Sequence, residues 1–514
     1  MLNQYLITLL TCSLLNQWEE LLKIFTPMLN KIIATKITIF FLLFSQITMP
    51  QDLNLPDLGN PADAVLSKND EARLGRSIMR QIRASGTVVE DPQINEYISE
   101  IGHRIASHIN ESERDFTFFV IDDDSINAFA LPGGYIGIHS GLLKATRSED
   151  ELAGVMAHEI AHVTQRHIAR ALAAGKKQSL LSTAIMLGAV IAGASGAGSD
   201  AVQGAMAVAQ GTQLQQQINF TRENEYEADR IGISALARAG FDPRGMASFF
   251  EVMSGSNTLG SMRVPEFLKT HPVTSSRIAE AKNRARLFEK KDTIDTRNYG
   301  ISRARLIVSG ADSPQEAINH YIQKEFRYLS DAERYGLALA YQTAGKYNDA
   351  KIILESLLYN NKEVIAYHIA LADVLFSLEQ IDQSLEIFED ASVFFPRNIS
   401  LVIHYANILL EINEADFAHE ILLDLLNNVP PTPEQVRLIA RAAIESNNPA
   451  EANYYMAEYR FMIGDLVGGI NFLRRALRIP DLNEIQRIRF EARIDFVREY
   501  MTEEQLQQLR RSSG

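Results

Sequence analysis

Cysteine is all but absent: Cys12 is the only one in 514 residues. No disulfide can be drawn within the chain, so its core has to hold by packing and hydrogen bonding alone. Positive charge is also in deficit, with 50 Lys and Arg against 64 Asp and Glu, a net charge of -14 and no long basic run. That excludes a general nucleic-acid binder, because a phosphate backbone is tracked by clustered Lys and Arg. Long apolar runs are missing as well. Residues 37–44 are too few to span a bilayer, and residues 180–198 approach span length but are diluted by Ala, Gly and Ser. Against these absences stands an ordinary globular balance of 46% hydrophobic and 22% charged residues, at a length that suits two or three domains.

Residues 1–50 are expected to lie outside the fold. Met28 opens a second plausible start, and Lys31 and Lys36 precede the apolar residues 37–44, which is the order of an export signal. Residues 1–27 then read as an upstream extension, and Cys12 lies ahead of the exported chain. An uncleaved N-terminal anchor is the competing reading.

The chain is organised around His158-Glu159-Ile160-Ala161-His162. Ser148 with Glu151 three residues on is a capping-box start, and Leu152, Val155, Met156 and Ile160 follow at helical spacing. On that helix His158 and His162 are one turn apart on one face. Two imidazoles so placed can bind one metal ion, with Glu159 directed into the same cavity as a base for water. This nitrogen set suits zinc. The plain alternative is a surface helix with two solvated histidines. A third ligand is available downstream, where residues 222–239 read as a second amphipathic helix with Glu225 and Asp229 on one face. That pair suits a ligand and a partner that accepts a hydrogen bond from a ligating histidine. Glu223 and Glu227 are alternatives, and spacing does not choose among the three glutamates.

His158-Glu159-x-x-His162 followed by Glu225-x-x-x-Asp229 is similar to the gluzincin metallopeptidases of the HtpX and CAAX-prenyl-protease type. Two further stretches carry the resemblance, residues 127–136 (Asn-Ala-Phe-Ala-Leu-Pro-Gly-Gly-Tyr-Ile) and residues 271–278 (His-Pro-Val-Thr-Ser-Ser-Arg-Ile), so that it covers about residues 65–290. It implies one Zn2+ held by His158, His162 and Glu225, with Glu159 and Asp229 in catalytic roles. With the export signal and a helical-repeat tail added, the chain resembles periplasmic protease-chaperones. That resemblance implies quality control of outer-membrane β-barrel assembly, with unfolded or misassembled envelope proteins as substrates.

Around this centre, residues 69–84 and 92–109 read as amphipathic helices, the second with Ile94, Tyr97, Ile98, Ile101 and Ile105 on one face. Residues 116–121 read as a strand, followed by a hairpin through Leu131-Pro132-Gly133-Gly134 into residues 135–139. The resemblance places an edge strand at 127–130, where an extended substrate would pair. His139 reads as structural. Residues 179–221 contain one charged residue, Asp200, and six glycines. They are expected to form a helical lid or membrane-touching flap, with a transmembrane hairpin and a buried helix pair as competitors. His271 is placed to reach the zinc, either as a fourth ligand that holds the enzyme latent or as a donor to the reaction's oxyanion. Capping of a helix near Thr274 is its plain alternative. Arg277 reads as a partner of the site or as an anchor for this loop.

The C-terminal part is a repeat array. Ala338, Ala372, Ala406 and Ala440 recur every 34 residues, and Ala350, Ser384, Ala418 and Ala452 do so twelve positions later, which is tetratricopeptide spacing. Gly464, Gly469, Leu473 and Ala476 suggest one shorter further unit, with residues 503–511 as a polar cap. Stacked helix pairs present a concave surface to partner proteins, here the assembly machinery or the client. The expected architecture is α+β: a mainly helical, zincin-like metallopeptidase domain with a small β-sheet over 51–295, then an α-solenoid over 296–514. Two other readings compete with a periplasmic zinc endopeptidase and chaperone. One is a non-enzymatic chaperone with a structural zinc, and the other an integral membrane metalloprotease.

Overall fold

The structure, a computed structural model, describes residues 62, 65–109, 115–174, 222–258, 265–290, 297–480 and 482–511. The export-signal stretch and the 179–221 stretch lie outside the described residues. Within them no helix is long and apolar enough to cross a membrane.

Short polar residues start the first helices. Ser67 accepts a hydrogen bond from Asp70 N and opens α1 (Lys68–Ala84). Asp91 caps α2 (Pro92–Ala106), where Pro92 fills a first-turn site that needs no N–H. Ile94, Tyr97, Ile98, Ile101 and Ile105 are all buried, as the helical spacing expects.

Three strands follow, β1 (Thr117–Ile121), β2 (Ala128–Leu131) and β3 (Tyr135–His139). The hairpin is between β2 and β3, antiparallel with Ala128 opposite Ile138. Gly133 and Gly134 make its turn at φ 81° and 88°, and a Cβ on Gly134 would sit 2.3 Å from the Asp115 carbonyl oxygen, so both chain direction and space demand glycine. β1 pairs with β3 in parallel, giving the order β1-β3-β2. β2 is thereby an edge strand, with no strand on its outer side among the described residues.

After α3 (Ser140–Ala145) comes α4 (Glu149–Thr164), which carries the His-Glu motif. Ser148 accepts from Glu151 N as expected, but the Glu151 carboxylate turns to Arg147 N (2.8 Å) and the Arg147 side chain, so only half of a capping box forms. All sixteen residues of α4 are buried. Such burial requires partners on every side: β2 and α2 cover part of it, and α6 (Arg222–Ala239) and α7 (Arg244–Thr258) the rest. Gly154 lets α7 approach, since a Cβ there would lie 2.8 Å from Met246 Cα. Between them α5 (His167–Ala174) follows α4 directly, and α8 (Glu266–Thr270) and α9 (Ser275–Ala285) close this part. Thr274, not His271, caps α9, by accepting from Arg277 N.

Helix pairs make up the remainder. Their first helices, α10 (Arg297–Ser309), α12 (Asp331–Thr343), α14 (Ile365–Ser377), α16 (Ile399–Glu411) and α18 (Pro433–Glu445), start 34 residues apart. Their second helices are α11 (Pro314–Ile322), α13 (Tyr347–Asn360), α15 (Ile381–Phe394), α17 (Ala415–Asn428) and α19 (Pro449–Met462). A further pair, α20 (Leu466–Ala476) and α21 (Glu484–Arg498), precedes a terminal α22 (Glu503–Arg511). The turns inside the pairs repeat too: Gly345, Glu379, Asn413 and Asn447 all have φ between 55° and 70°. One residue beyond each, an N–H reaches back to the carbonyl of the preceding helix, as Lys346 N to Tyr341 O and Gln380 N to Leu375 O. This left-handed closure satisfies helix-end carbonyls and turns the chain back onto itself.

The array packs on the α/β part. Tyr299 and Leu306 of α10 belong to the same apolar core as Ile98, Met156 and Phe249, while Ile301 and Ala304 face the repeats. Arg305 bonds both Asp91 (2.7 Å) and Tyr335 Oη (2.8 Å). Farther along, Glu96 on α2 accepts from Asn398 (3.2 Å) and from Ser400 N (3.3 Å) at the start of α16.

Candidate metal centre

α4 presents His158 and His162 on one face, 0% and 1% exposed, so the solvated-histidine alternative fails. α6 crosses α4 and contributes buried Glu225 and Asp229, and buried His271 sits at the C-terminus of α8. One ligand atom each from His158, His162, Glu225 and His271 lies within 4.8 Å of the others. His162 Nε2 is 3.0 Å from His158 Nε2, and His158 Nε2 is 3.2 Å from His271 Nδ1. Glu225 stands 3.0 Å from His271 Nδ1 and 3.4 Å from Nε2 of both other histidines. Nitrogen and carboxylate donors facing one point in a buried cavity fit a tetrahedral metal such as zinc. Of the alternatives, Glu223 is exposed, and Glu227 turns to His167 and Arg170, away from the cluster.

The surrounding groups orient these donors. His158 Nδ1 is 2.9 Å from Asp229 Oδ1, which holds the Nδ1 proton, so that Nε2 would be the nitrogen to give up its proton to a metal. Arg277 spans Asp229 with Nε and Nη2, both at 2.8 Å, while its Nη1 reaches Glu225 Oε2 (2.8 Å) and the Pro272 carbonyl (3.0 Å). It therefore holds both the carboxylates and the His271 loop. Burial opposes charge on His158, but the Asp229 and Glu225 carboxylates outweigh it and push its pKa up to about 9. Burial depresses His162 well below the imidazole range. Glu225, despite burial, is held well below the carboxylate range by the three histidines around it.

Glu159 is wholly buried, and burial raises its pKa. Neither oxygen has a hydrogen bond of normal geometry, and His271, His158 and the Ala130 backbone only partly oppose the effect of burial. His271 Nε2 lies 3.4 Å from its Oε1. A carboxylate buried without such a bond is uncommon in a folded protein. His139 is buried behind β2, with Nδ1 2.8 Å from Ser125 Oγ and its ring edge-on to Phe129.

His167 was not singled out by its spacing. Its Nδ1 lies 2.9 Å from His162 Nδ1 and its Nε2 3.1 Å from Glu227 Oε2, and burial lowers its pKa to about 4. In an unbroken helix a residue five positions after His162 faces elsewhere, so its role depends on the break between α4 and α5.

Residues 92–285 match the family described as Peptidase family M48. The chain is 34% identical over 451 residues to the "Beta-barrel assembly-enhancing protease" of Escherichia coli (strain K12), covering 87% of this chain and 91% of that one. A protein of the same description from Yersinia pestis is 32% identical over 453 residues, 87% of this chain and 92% of its own. The "Mitochondrial metalloendopeptidase OMA1" of Schizosaccharomyces pombe shares 32% identity over 183 residues, 35% of this chain and 50% of that one. The donor cluster and Glu159 lie inside the matched span, and the likeness to full-length relatives runs on through the repeats: this chain belongs to peptidase family M48 and is a metallopeptidase.

Proposed function

We propose that the chain is a zinc-dependent endopeptidase and chaperone of the bacterial periplasm, acting on misassembled envelope proteins during outer-membrane β-barrel assembly. The observation that carries the reading is Glu159 buried beside the His158, His162 and Glu225 donors. The relatives' description supports the client class, and the order of basic and apolar residues at 28–44 supports export.

His158, His162 and Glu225 hold zinc, with Asp229 and Arg277 fixing their orientation. Bound zinc supplies Lewis acidity to the scissile carbonyl and to a water molecule. Glu159 takes the proton of the attacking water and passes that proton to the leaving amine. The open edge of β2, next to α4, offers main-chain pairing to an extended client with little sequence preference. The repeats dock the client or the assembly machinery.

His271 acts as a fourth ligand rather than as an oxyanion donor. Its Nδ1 faces the other ligand atoms and its Nε2 faces Glu159, so one ring would join the donors of a bound metal and also screen the base. The enzyme in this conformation is latent, and cutting requires the loop at Thr270-His271-Pro272 to withdraw.

The test is zinc content and cleavage of an unfolded protein by the chain lacking residues 1–50, with Glu159→Gln and Glu225→Ala beside it. The reading expects Glu159→Gln to keep zinc and stop cutting, and Glu225→Ala to lose zinc. Full cutting by Glu159→Gln would sink it.

A further inference from the structure

α4 ends in a way that serves the metal site. Residues i and i+5 of a continuous helix are turned about 140° apart around the axis, so a histidine five positions past His162 would normally point elsewhere. Here Arg166 takes a left-handed conformation, φ 53°, which stops α4 and starts α5 at His167. That region is unfavourable for a residue with a Cβ, and the surroundings hold it there. Arg166 is 5% exposed and donates to Glu71 Oε1 on α1 (3.2 Å) and to the Leu66 carbonyl (2.6 Å). Glu71 is itself buried. A buried ion pair from the first helix therefore fixes a backbone break that brings His167 beneath His162.

The geometry assigns the ring protons. His162 Nε2 faces the donor cluster and must keep its lone pair to ligate. Its proton is then on Nδ1, which faces His167 Nδ1 at 2.9 Å. His167 Nδ1 must accept, so the His167 proton is on Nε2, directed at Glu227 Oε2 3.1 Å away. Glu227 is in turn held by Arg170 Nη1 at 2.9 Å.

We propose that His167 is a positioning residue for the metal ligand His162, accepting a hydrogen bond from its Nδ1–H and anchored in that tautomer by Glu227. The two histidine ligands are thus oriented differently, His158 directly by the Asp229 carboxylate and His162 by a neutral imidazole with a carboxylate behind it. This proposal rests on the zinc reading above.

Zinc affinity, measured by competition with a chromophoric chelator, tests it in the full chain and its variants, alongside melting of the metal-free proteins. In His167→Asn the amide oxygen takes the place of Nδ1 and still accepts from His162. In His167→Gln the amide nitrogen takes the place of Nε2, keeping Glu227 but offering His162 nothing. His167→Ala and His167→Gln should weaken zinc binding by about 10–100-fold, the usual cost of losing such a partner, and His167→Asn should restore most of it. Parent-like affinity in all three variants overturns the proposal, as does equal loss in all three or a rescue by Gln instead of Asn. Glu225→Ala separates the two layers. If the parent binds no zinc, or Glu225→Ala binds it as well as the parent, the metal reading itself falls and the positioning role with it.

Discussion

At the scale of single residues, the guanidinium of Arg277 ties the site together. Its planar fork bridges both oxygens of Asp229 while the remaining nitrogen reaches Glu225 and Pro272 O. A lysine is a point charge and cannot serve three acceptors in one plane. Arg277→Lys should therefore lower zinc affinity by about 10–100-fold, read by chelator competition, and unchanged affinity would reduce Arg277 to a loop anchor. The two candidate histidine donors and the proposed base were legible because His158, Glu159 and His162 sit close in sequence on one helix. Which glutamate joins them was not legible from spacing, since Glu223, Glu225 and Glu227 lie at successive 200° steps around α6 and only the crossing with α4 brings one of them to the histidines. His167 was hidden for another reason: its direction depends on a left-handed Arg166, at a position where no glycine or asparagine announces a break.

At the scale of the element, α4 is more than an amphipathic helix. The apolar spacing of Leu152, Val155, Met156 and Ile160 predicts one buried face, but the helix is enclosed on all sides and even its acidic first turn is buried. Glu149 shows the consequence. Burial raises its pKa from 4.5 to about 7, only partly opposed by the Tyr97 hydroxyl at 3.1 Å. Between those pH values the folded chain keeps a proton that the unfolded chain has released, so this group's contribution to stability falls as pH rises through the window. Glu149→Gln, neutral throughout, should match the parent near pH 4 and be more stable above pH 7 by up to ~3 kcal/mol. Thermal melting across that range checks it, and a difference that does not change with pH contradicts it. In the sheet, the β2–β3 hairpin followed from Pro132-Gly133-Gly134. The parallel partner of β1 did not, because alternation marks a strand without naming its neighbour.

At the scale of the whole molecule, the repeat array was readable because each pair reuses the same small contact residue and the same turn. Its first pair escaped the alanine ladder. Ala304 keeps the register, but α11 is shorter than the other second helices and carries no matching small residue twelve positions on. That first pair joins the two parts, since α10 buries Tyr299 and Leu306 in the α/β core. Burying two such side chains contributes roughly 3–6 kcal/mol. A chain ending at residue 296 should consequently melt well below one ending at residue 325, although neither contains the four regular repeats. Equal melting temperatures would mean that the α/β part is self-sufficient without α10.

Cleavage of an unfolded protein by His271→Ala, alone and combined with Glu159→Gln, tests the central claim of a zinc peptidase closed by its own histidine. The single variant should cut about tenfold faster than the parent, the factor that ~1.4 kcal/mol of released closure allows, and the double variant should retain zinc and be silent. Slower or unchanged cutting by His271→Ala would contradict the closure, and cutting that survives Glu159→Gln would contradict the mechanism.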